Sequence, residues 1–270
     1  MRILYKTIII FLIGFTSLQL SACKKLKDVT PEGIKAYGTL VVATNASFPP
    51  FEFINENGNM VGWDMDIAHE LARRLGVELR VDHMSFNSVL TVPNLHRAHI
   101  SMAGISRTAE REENLSFTQD VFNSSQVVVI RSADNRIKTP FDLEGMTVGA
   151  QEYTIGLSLA QMDKNIAFDE GEKILGTPKK AVSYDTAYQA LMDLVDNDSN
   201  LDAVILDKFP ALGFLEMISG LEILEHEVYE DYYAFAVKKG NVALLDWLKE
   251  QITDMKKPGG FFEITTKKWF

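Results

Sequence analysis

Two side chains far apart in this sequence are of types that could bind opposite charges, an arginine and an aspartate. Arg111 lies in the charged run Glu110-Arg111-Glu112-Glu113, shortly after Gly104-Ile105-Ser106. A guanidinium presents a planar fork that matches a carboxylate, and Gly104-Ile105-Ser106 ahead of a helix start offers backbone N–H groups and a hydroxyl to the same anion. On composition alone, the plainer reading of Arg111 is a solvated arginine among acids. Asp207 ends the apolar run Leu201 to Leu206 and precedes a helical stretch. A carboxylate there suits a cation, and it equally suits a plain helix N-cap. His96-Arg97-Ala98-His99 sets two histidines three apart. That spacing suggests a metal, but no third ligand or cysteine is near, and no metal site is expected. The sequence carries no Ser-His-Asp pattern and no phosphate-binding loop, so nothing places an acid beside a partner that would tune it for catalysis.

The elements that must position these residues belong to a chain of 270 residues with 46% hydrophobic and 24% charged residues. That composition excludes a disordered, collagen-like or polytopic membrane chain, and the length suits one large domain or two modest ones. Lys+Arg 27 against Asp+Glu 37 gives a net charge of −10. An acidic chain without a basic run is a poor partner for nucleic acid. The single cysteine excludes an intrachain disulfide. It follows Arg2 and Lys6, an apolar stretch from Ile8 to Leu20 too short to span a bilayer, and then Leu20-Ser21-Ala22. This reads as a secretory signal, and the tetrapeptide ending at Cys23 resembles a bacterial lipobox whose cysteine is lipidated. Residues 1–22 carry two basic residues and no acid, so their removal takes the net charge to −12. Residues 23–37 read as a tether, with folding expected to begin near Gly38.

Strand-like and helix-like stretches alternate from there. Thr39 to Ala43 is a β-branched strand, Asn57-Gly58 a hairpin-type turn, and Asp64 or Asp66 a cap for a helix buried through Ile67, Ala68, Leu71, Ala72 and Leu75 and stopped by Gly76. Val77, Leu79 and Val81 alternate as a strand; Phe86 to Leu95 suits a short helix weakened by Pro93, and Ile100 to Ala103 a further strand. This is a βαβ unit and implies a parallel sheet. A second series runs through a strand Gln126–Ile130, a strand entered after Gly145, a helix from Ile155, an amphipathic helix from Ala187, the strand Leu201–Leu206, a last strand Tyr232–Val237, and a helix Leu244–Met255. Two α/β units of roughly 100 residues fit better than one.

Several long motifs in order make the chain resemble the amino-acid-binding lipoproteins and periplasmic proteins that feed ABC importers, bacterial extracellular solute-binding family 3. They are Leu40 to Phe53 (LVVATNASFPPFEF), Val61 to Ala68 (VGWDMDIA), Met102 to Ser106 with Glu110-Arg111, Leu201 to Asp207, and the ending Lys268-Trp269-Phe270. The resemblance implies an α/β fold of the type II periplasmic-binding-protein kind, with two lobes, two crossover hinge strands and the ligand in the interlobe cleft. Carried over, lobe 1 is 38–122 and 232–270, lobe 2 is 126–230, and the hinges lie at about 123–125 and 231. The implied role is capture of a polar amino acid between closing lobes and its delivery to a permease and ATPase. The implied protein needs no cofactor and is monomeric, extracytoplasmic, and held to the membrane by lipid on Cys23.

In that resemblance Arg111, with Ala103, Gly104 and Ser106, meets the ligand's carboxylate, and Asp207 its ammonium. Phe48 and Phe86 sandwich the side chain. Asn45 stands where relatives that bind basic amino acids carry an aspartate, which weakens the case for a strictly cationic ligand, although Glu52 is near in sequence. The usual glycine and two threonines of lobe 2 are here Tyr153-Thr154-Ile155, so Thr154 keeps its match and Ile155 alters the wall. Gln151 is a candidate for the ligand's distal end. Arg107 replaces a usual apolar residue and is expected at the cleft mouth; Trp63 is expected to pack. The alternatives are an enzyme like the cyclohexadienyl dehydratases on the same fold, with Glu152, Glu52 or Asp207 as its acid, and a ligand-sensing lipoprotein.

Overall fold

The computed structural model describes residues 25–163, 174–196 and 198–270. Cys23 and the signal segment lie outside the described residues. In chain order the first half comprises α1 (Pro31–Tyr37), β1 (Thr39–Thr44), β2 (Ser47–Phe48), β3 (Glu52–Ile54), β4 (Met60–Val61), α2 (Trp63–Leu75), β5 (Glu78–His83), α3 (Phe86–Thr91), β6 (Ile100–Ser101), α4 (Ala109–Asn114) and β7 (Leu115–Phe117). A long strand β8 (Phe122–Arg131) leads into β9 (Thr147–Gln151), α5 (Ile155–Ala160), β10 (Lys180–Tyr184), α6 (Ala187–Val195), β11 (Ala203–Asp207), α7 (Lys208–Leu215) and β12 (Leu221–Ile223). Finally β13 (Tyr229–Tyr233) returns the chain to β14 (Ala236–Lys238), α8 (Val242–Met255) and α9 (Phe261–Trp269).

These elements build two lobes on two mixed sheets. One has the order β5-β1-β6-β14-β7, the other β10-β9-β11-β8-β12 with β13 also on β8. In the first, β1 runs parallel to β5 and β6 while β14 is antiparallel to β6 and β7. In the second, β9 is parallel to β10 and β11, and β8 is antiparallel to β11. Each sheet is buried on both faces, Leu40 and Val42 packing one way and Val41 and Ala43 the other. Val128 and Ile130 pack opposite to Val127 and Val129 in the same manner. Strands covered on both sides read as continuous apolar runs, which is why these were legible as strands.

Two segments join the sheets. Residues Phe122–Gln126 of β8 pair antiparallel with Tyr229–Tyr233 of β13, from Phe122 opposite Tyr233 to Gln126 opposite Tyr229. The expected strand Gln126–Ile130 is therefore four residues longer at its start, through the polar Asn123-Ser124-Ser125, because pairing with β13 and not burial of apolar side chains holds it extended. The expected strand Tyr232–Val237 is two strands, since the chain leaves the ladder with β8 at Tyr233 and joins the first sheet at Ala236.

Two further expectations are corrected. The fold begins before Gly38: α1 is capped by Thr30, whose hydroxyl accepts the Gly33 N–H, and Leu26, Val29 and Ile34 are buried. The residues read as a tether are therefore packed from Leu26 onward, with Asn241 Nδ2 donating to the Val29 carbonyl at 2.8 Å. The N-cap of α2 is Gly62 (φ 134°), not Asp64 or Asp66. A Cβ at Gly62 would lie 2.1 Å from the Phe51 carbonyl oxygen, so close passage of the β2–β3 turn requires glycine there. Asp66 ties α2 to the C-terminal helix, accepting from Thr265 Oγ1, Lys268 Nζ and Trp269 Nε1. Trp63 is fully buried and packs edge-on against Phe51, Phe122 and Phe262, as expected.

Candidate functional site

Between the sheets lies a small cavity, with about 20 Å³ open to the centre of a water-sized sphere, lined by Asn45, Phe48, Glu52, Phe86, Ala103, Gly104, Ser106, Arg111, Gln151, Thr154, Ile155 and Asp207. All twelve residues singled out from the sequence thus meet at one place. The first sheet and its loops contribute the residues up to Arg111, and the ends of β9 and β11 contribute the rest.

The basic end is built on α4. Thr108 caps this helix through the Arg111 N–H, and the Arg111 guanidinium reaches back to donate to the Ser106 carbonyl at 2.7 Å and across the cleft to the Tyr153 carbonyl at 2.8 Å. Its Cζ lies 5.5 Å from the centroid of the Phe86 ring, in cation–π range. Burial lowers the Arg111 pKa, while Asp231 and Asp207 push it the other way; at an ordinary value far above neutrality the group stays charged. Gly104 adopts φ +51°, and a Cβ there would lie 2.5 Å from Phe48 Cε1, so the loop closes on the aromatic wall only because this residue has no side chain.

The opposite end is acidic. Asp207 is the backbone N-cap of α7, but its carboxylate makes no capping bond. Instead Oδ1 accepts from Tyr233 Oη at 2.5 Å and from Gln126 Nε2 at 2.8 Å. Gln126 Nε2 also donates to Asp231 Oδ2 at 3.0 Å, where Ser106 Oγ donates at 2.8 Å. Glu52 is completely buried and neither of its oxygens has a hydrogen-bond partner with a fixed proton; its polar neighbour is the carboxyl of Asp64. Two buried carboxyls facing one another are stable only with a proton between them.

The remaining residues have partial commitments. Asn45 donates to the Met84 carbonyl at 2.7 Å and accepts from Ser47, while Gln151 donates to the Asp185 carbonyl at 3.1 Å and reaches Asn45 Oδ1 at 3.4 Å. The Thr154 hydroxyl caps α5 and donates to the Gln151 carbonyl. Tyr153, at φ 62°, points its ring outward at 51% exposure, so its contribution to the cleft is its carbonyl. Arg107 is not a free charge at the mouth: it pairs with Glu112 at 3.7 Å and Asp120 at 3.6 Å. His99 is buried and its Nδ1 accepts the Val41 N–H at 2.9 Å; His96 Nδ1 contacts the Leu26 carbonyl at 3.1 Å. Both histidines therefore serve local packing of the α1 segment and first sheet.

Sequence reasoning missed Gln126, Asp231, Tyr233 and Asp64. Asp231 and Tyr233 are two apart, the strand period that turns side chains to one face, and that alternation was the available signal. Gln126 was hidden at the edge of an apolar run, and Asp64 was taken for a cap.

Burial raises the pKa of all four acids around the cleft. Asp64 is pushed up to about 7 and Asp207 to about 8, the latter also by Asp231. Glu52 and Asp231 are raised by burial as well. A carboxyl raised in this way contributes stability that is complete below the ordinary range near pH 4 and is lost as pH climbs through its folded pKa. His99 acts oppositely and lower: burial, with Arg80 nearby, pushes it down to about 4 from 6.5, so its contribution is lost as pH falls through that interval. Between about pH 6.5 and 8.5 the carboxyls alone govern, and the melting temperature of the ligand-free protein is expected to fall across that window. Scanning fluorimetry at half-unit steps checks this; a melting temperature that rises would remove the shared proton.

Two doubly covered α/β lobes on a two-strand crossover, with an arginine and an aspartate at opposite ends of the cavity between them, define a two-lobed binding protein. Residues 40–270 match the sequence profile of the bacterial extracellular solute-binding proteins, family 3, and the chain belongs to that family. It is 26% identical to the arginine-binding extracellular protein ArtP of Bacillus subtilis (strain 168), over 98% of each chain. It is also 26% identical to the L-cystine-binding protein TcyJ of Escherichia coli (strain K12), over 96% of this chain and 94% of that one. Among solved structures, holo ArgBP from T. maritima shares 33% identity at a TM-score of 0.75, covering 88% of this chain and 99% of its own. These relatives are binding proteins, and the chain is an extracytoplasmic solute-binding protein of the ABC-transporter type, not an enzyme. No helix of the described residues is long and apolar enough to cross a membrane.

Proposed function

We propose that the protein captures a free, polar amino acid in the cleft and presents the closed complex to an ABC permease with its ATPase. One observation carries this reading: a partly buried guanidinium and a buried carboxylate line one small cavity, with Phe48 and Phe86 beside them. A zwitterion needs one anion-binding and one cation-binding element, and the cavity has one of each. The ligand's carboxylate takes the Arg111 fork, whose N–H groups also donate to the Ser106 and Tyr153 carbonyls. Its ammonium takes Asp207. The lobes are 26–122 with 232–270, and 126–230, and the ladder between Phe122–Gln126 and Tyr229–Tyr233 is the hinge. A ligand that touches both lobes favours the closed state by the contacts it makes only there. The printed ligands of the relatives, arginine and cystine, set the first candidates. The protein works as a monomer held to the membrane by lipid on Cys23.

A thermal-shift screen with the twenty amino acids plus cystine and ornithine tests the reading. At about 100 times the Kd, linkage gives about 2.7 kcal/mol of stabilisation, a shift on the order of 5 to 10 °C for a chain of this size. Absence of a shift with every compound would overturn it.

A further inference from the structure

The cavity's acidic end is one half of a pair. Asp207 sits at the end of β11 in the second lobe and Asp231 on the crossover strand β13, both are buried, and a single amide nitrogen, Gln126 Nε2, donates to both at 2.8 and 3.0 Å. Among the described residues no lysine or arginine nitrogen forms an ion pair with either. The two carboxylates differ in how their charge is held. Asp231 receives donors on both oxygens, Ser106 Oγ and Gln126 on Oδ2 and the Tyr232 N–H on Oδ1 at 2.8 Å. The two side-chain donors to Asp207, Tyr233 Oη and Gln126 Nε2, crowd onto Oδ1. Asp231 is also absent from the cavity wall, whereas Asp207 lines it.

Two like charges this close in a dry interior do not both persist, and the better-solvated one keeps its charge. The proton then rests on Asp207, the carboxyl that must meet an ammonium. We propose that capture of the ligand's ammonium is coupled to release of one proton from the Asp207–Asp231 pair, and that Asp231 is a positioning residue setting this coupling without touching the ligand. The exchange balances: Asp207 gives its proton to solvent and its carboxylate takes the ammonium, so the cleft's net charge changes by the ligand's charge less one and the released proton appears in the buffer. The other groups facing the pair are Tyr233 and Tyr229 from β13, Arg111 from α4 and Glu52 from β3. Arg111 favours ionisation of both aspartates, while Glu52, itself raised by burial beside Asp64, adds no competing negative charge while it keeps its proton. The network also runs from Ser106 in the first lobe through the crossover strands to Asp207 in the second, so the proton inventory of the pair and the position of the lobes are linked.

The inference rests on the amino-acid reading above, and its test separates the two. The probe is the amino acid that gives the largest shift in the thermal screen, titrated calorimetrically at pH 6.0, 6.5 and 7.0, where a free α-ammonium keeps its proton. The expected result is a Kd that tightens about tenfold per pH unit, with heats in buffers of different ionisation enthalpy reporting about one proton released. Asp231→Asn removes the neighbouring charge, lets Asp207 ionise at lower pH, and flattens that slope. Tyr233→Phe removes a donor to the Asp207 carboxylate and shifts the titration upward, the opposite direction. A merely structural role for these residues would move both variants alike. In the ligand-free protein, a carboxyl ¹³C resonance titrating near pH 8, absent in Asp207→Asn and displaced downward in Asp231→Asn, is the independent readout. Binding that is independent of pH and buffer in the wild type, or an Asp231→Asn slope equal to the wild type's, overturns the proton coupling and leaves the amino-acid reading standing. No binding by any compound of the screen overturns both.

Discussion

Replacing Arg111 by alanine is expected to weaken amino-acid binding by about 2–5 kcal/mol, because it leaves a desolvated carboxylate without its partner. Calorimetry on the wild type and Arg111→Ala measures it, and unchanged affinity would remove Arg111 from the site. The structure adds a second consequence. This guanidinium bonds the Ser106 carbonyl on one side of the cleft and the Tyr153 carbonyl on the other, so it also ties the two lobes together. Arg111→Ala should therefore shift the ligand-free protein toward the open form, seen as a larger radius of gyration in solution scattering. Arg111→Lys keeps the charge but not the fork and is expected to fall between the two. Arg107→Ala is the control, since Arg107 pairs with Glu112 and Asp120 away from the cavity.

The second large effect is on stability. Phe51 is fully buried at the centre of an aromatic cluster, with Phe48, Trp63, Phe122, Phe209, Tyr233 and Phe270 ring centroids between 4.9 and 6.4 Å away. Phe51→Ala is expected to cost about 3–5 kcal/mol, because the cavity left behind is lined by large rings that cannot collapse into it. The melting temperature should fall by on the order of 10 °C. Phe209 belongs to α7 of the second lobe and Phe270 follows α9 of the first, so the cluster packs across the hinge. The loss should therefore appear as destabilisation of the lobes together. A denaturation midpoint within experimental error of the wild type's would show that the cluster repacks.

Much of the cavity was legible before the fold was known. Arg111 and Asp207 could not be told from a solvated arginine and a helix cap by their own neighbours in sequence; the surrounding motifs singled them out, and the structure gathers them with the other ten. The network behind the cavity was not legible. Gln126, Asp231 and Tyr233 are ordinary residues at strand ends until β8 and β13 are paired, and that pairing spans more than a hundred residues of chain. The early fold start was missed because Leu26, Val29 and Ile34 are spaced too sparsely among charges to announce a buried face. Asp64 was read as a cap because a buried aspartate is rare, and only its juxtaposition with Glu52 explains its burial.

By itself, then, the sequence determined the family motifs, the doubly buried strands and the chemical types that meet at the cavity, because these follow from local composition and from residue runs that survive in linear order. The tertiary structure alone decided which polar groups are dry, which carboxyls lie beside one another, and which carbonyls Arg111 bonds across the cleft. Those properties depend on distances between segments remote in the chain, and desolvation, unlike periodicity, has no linear signature.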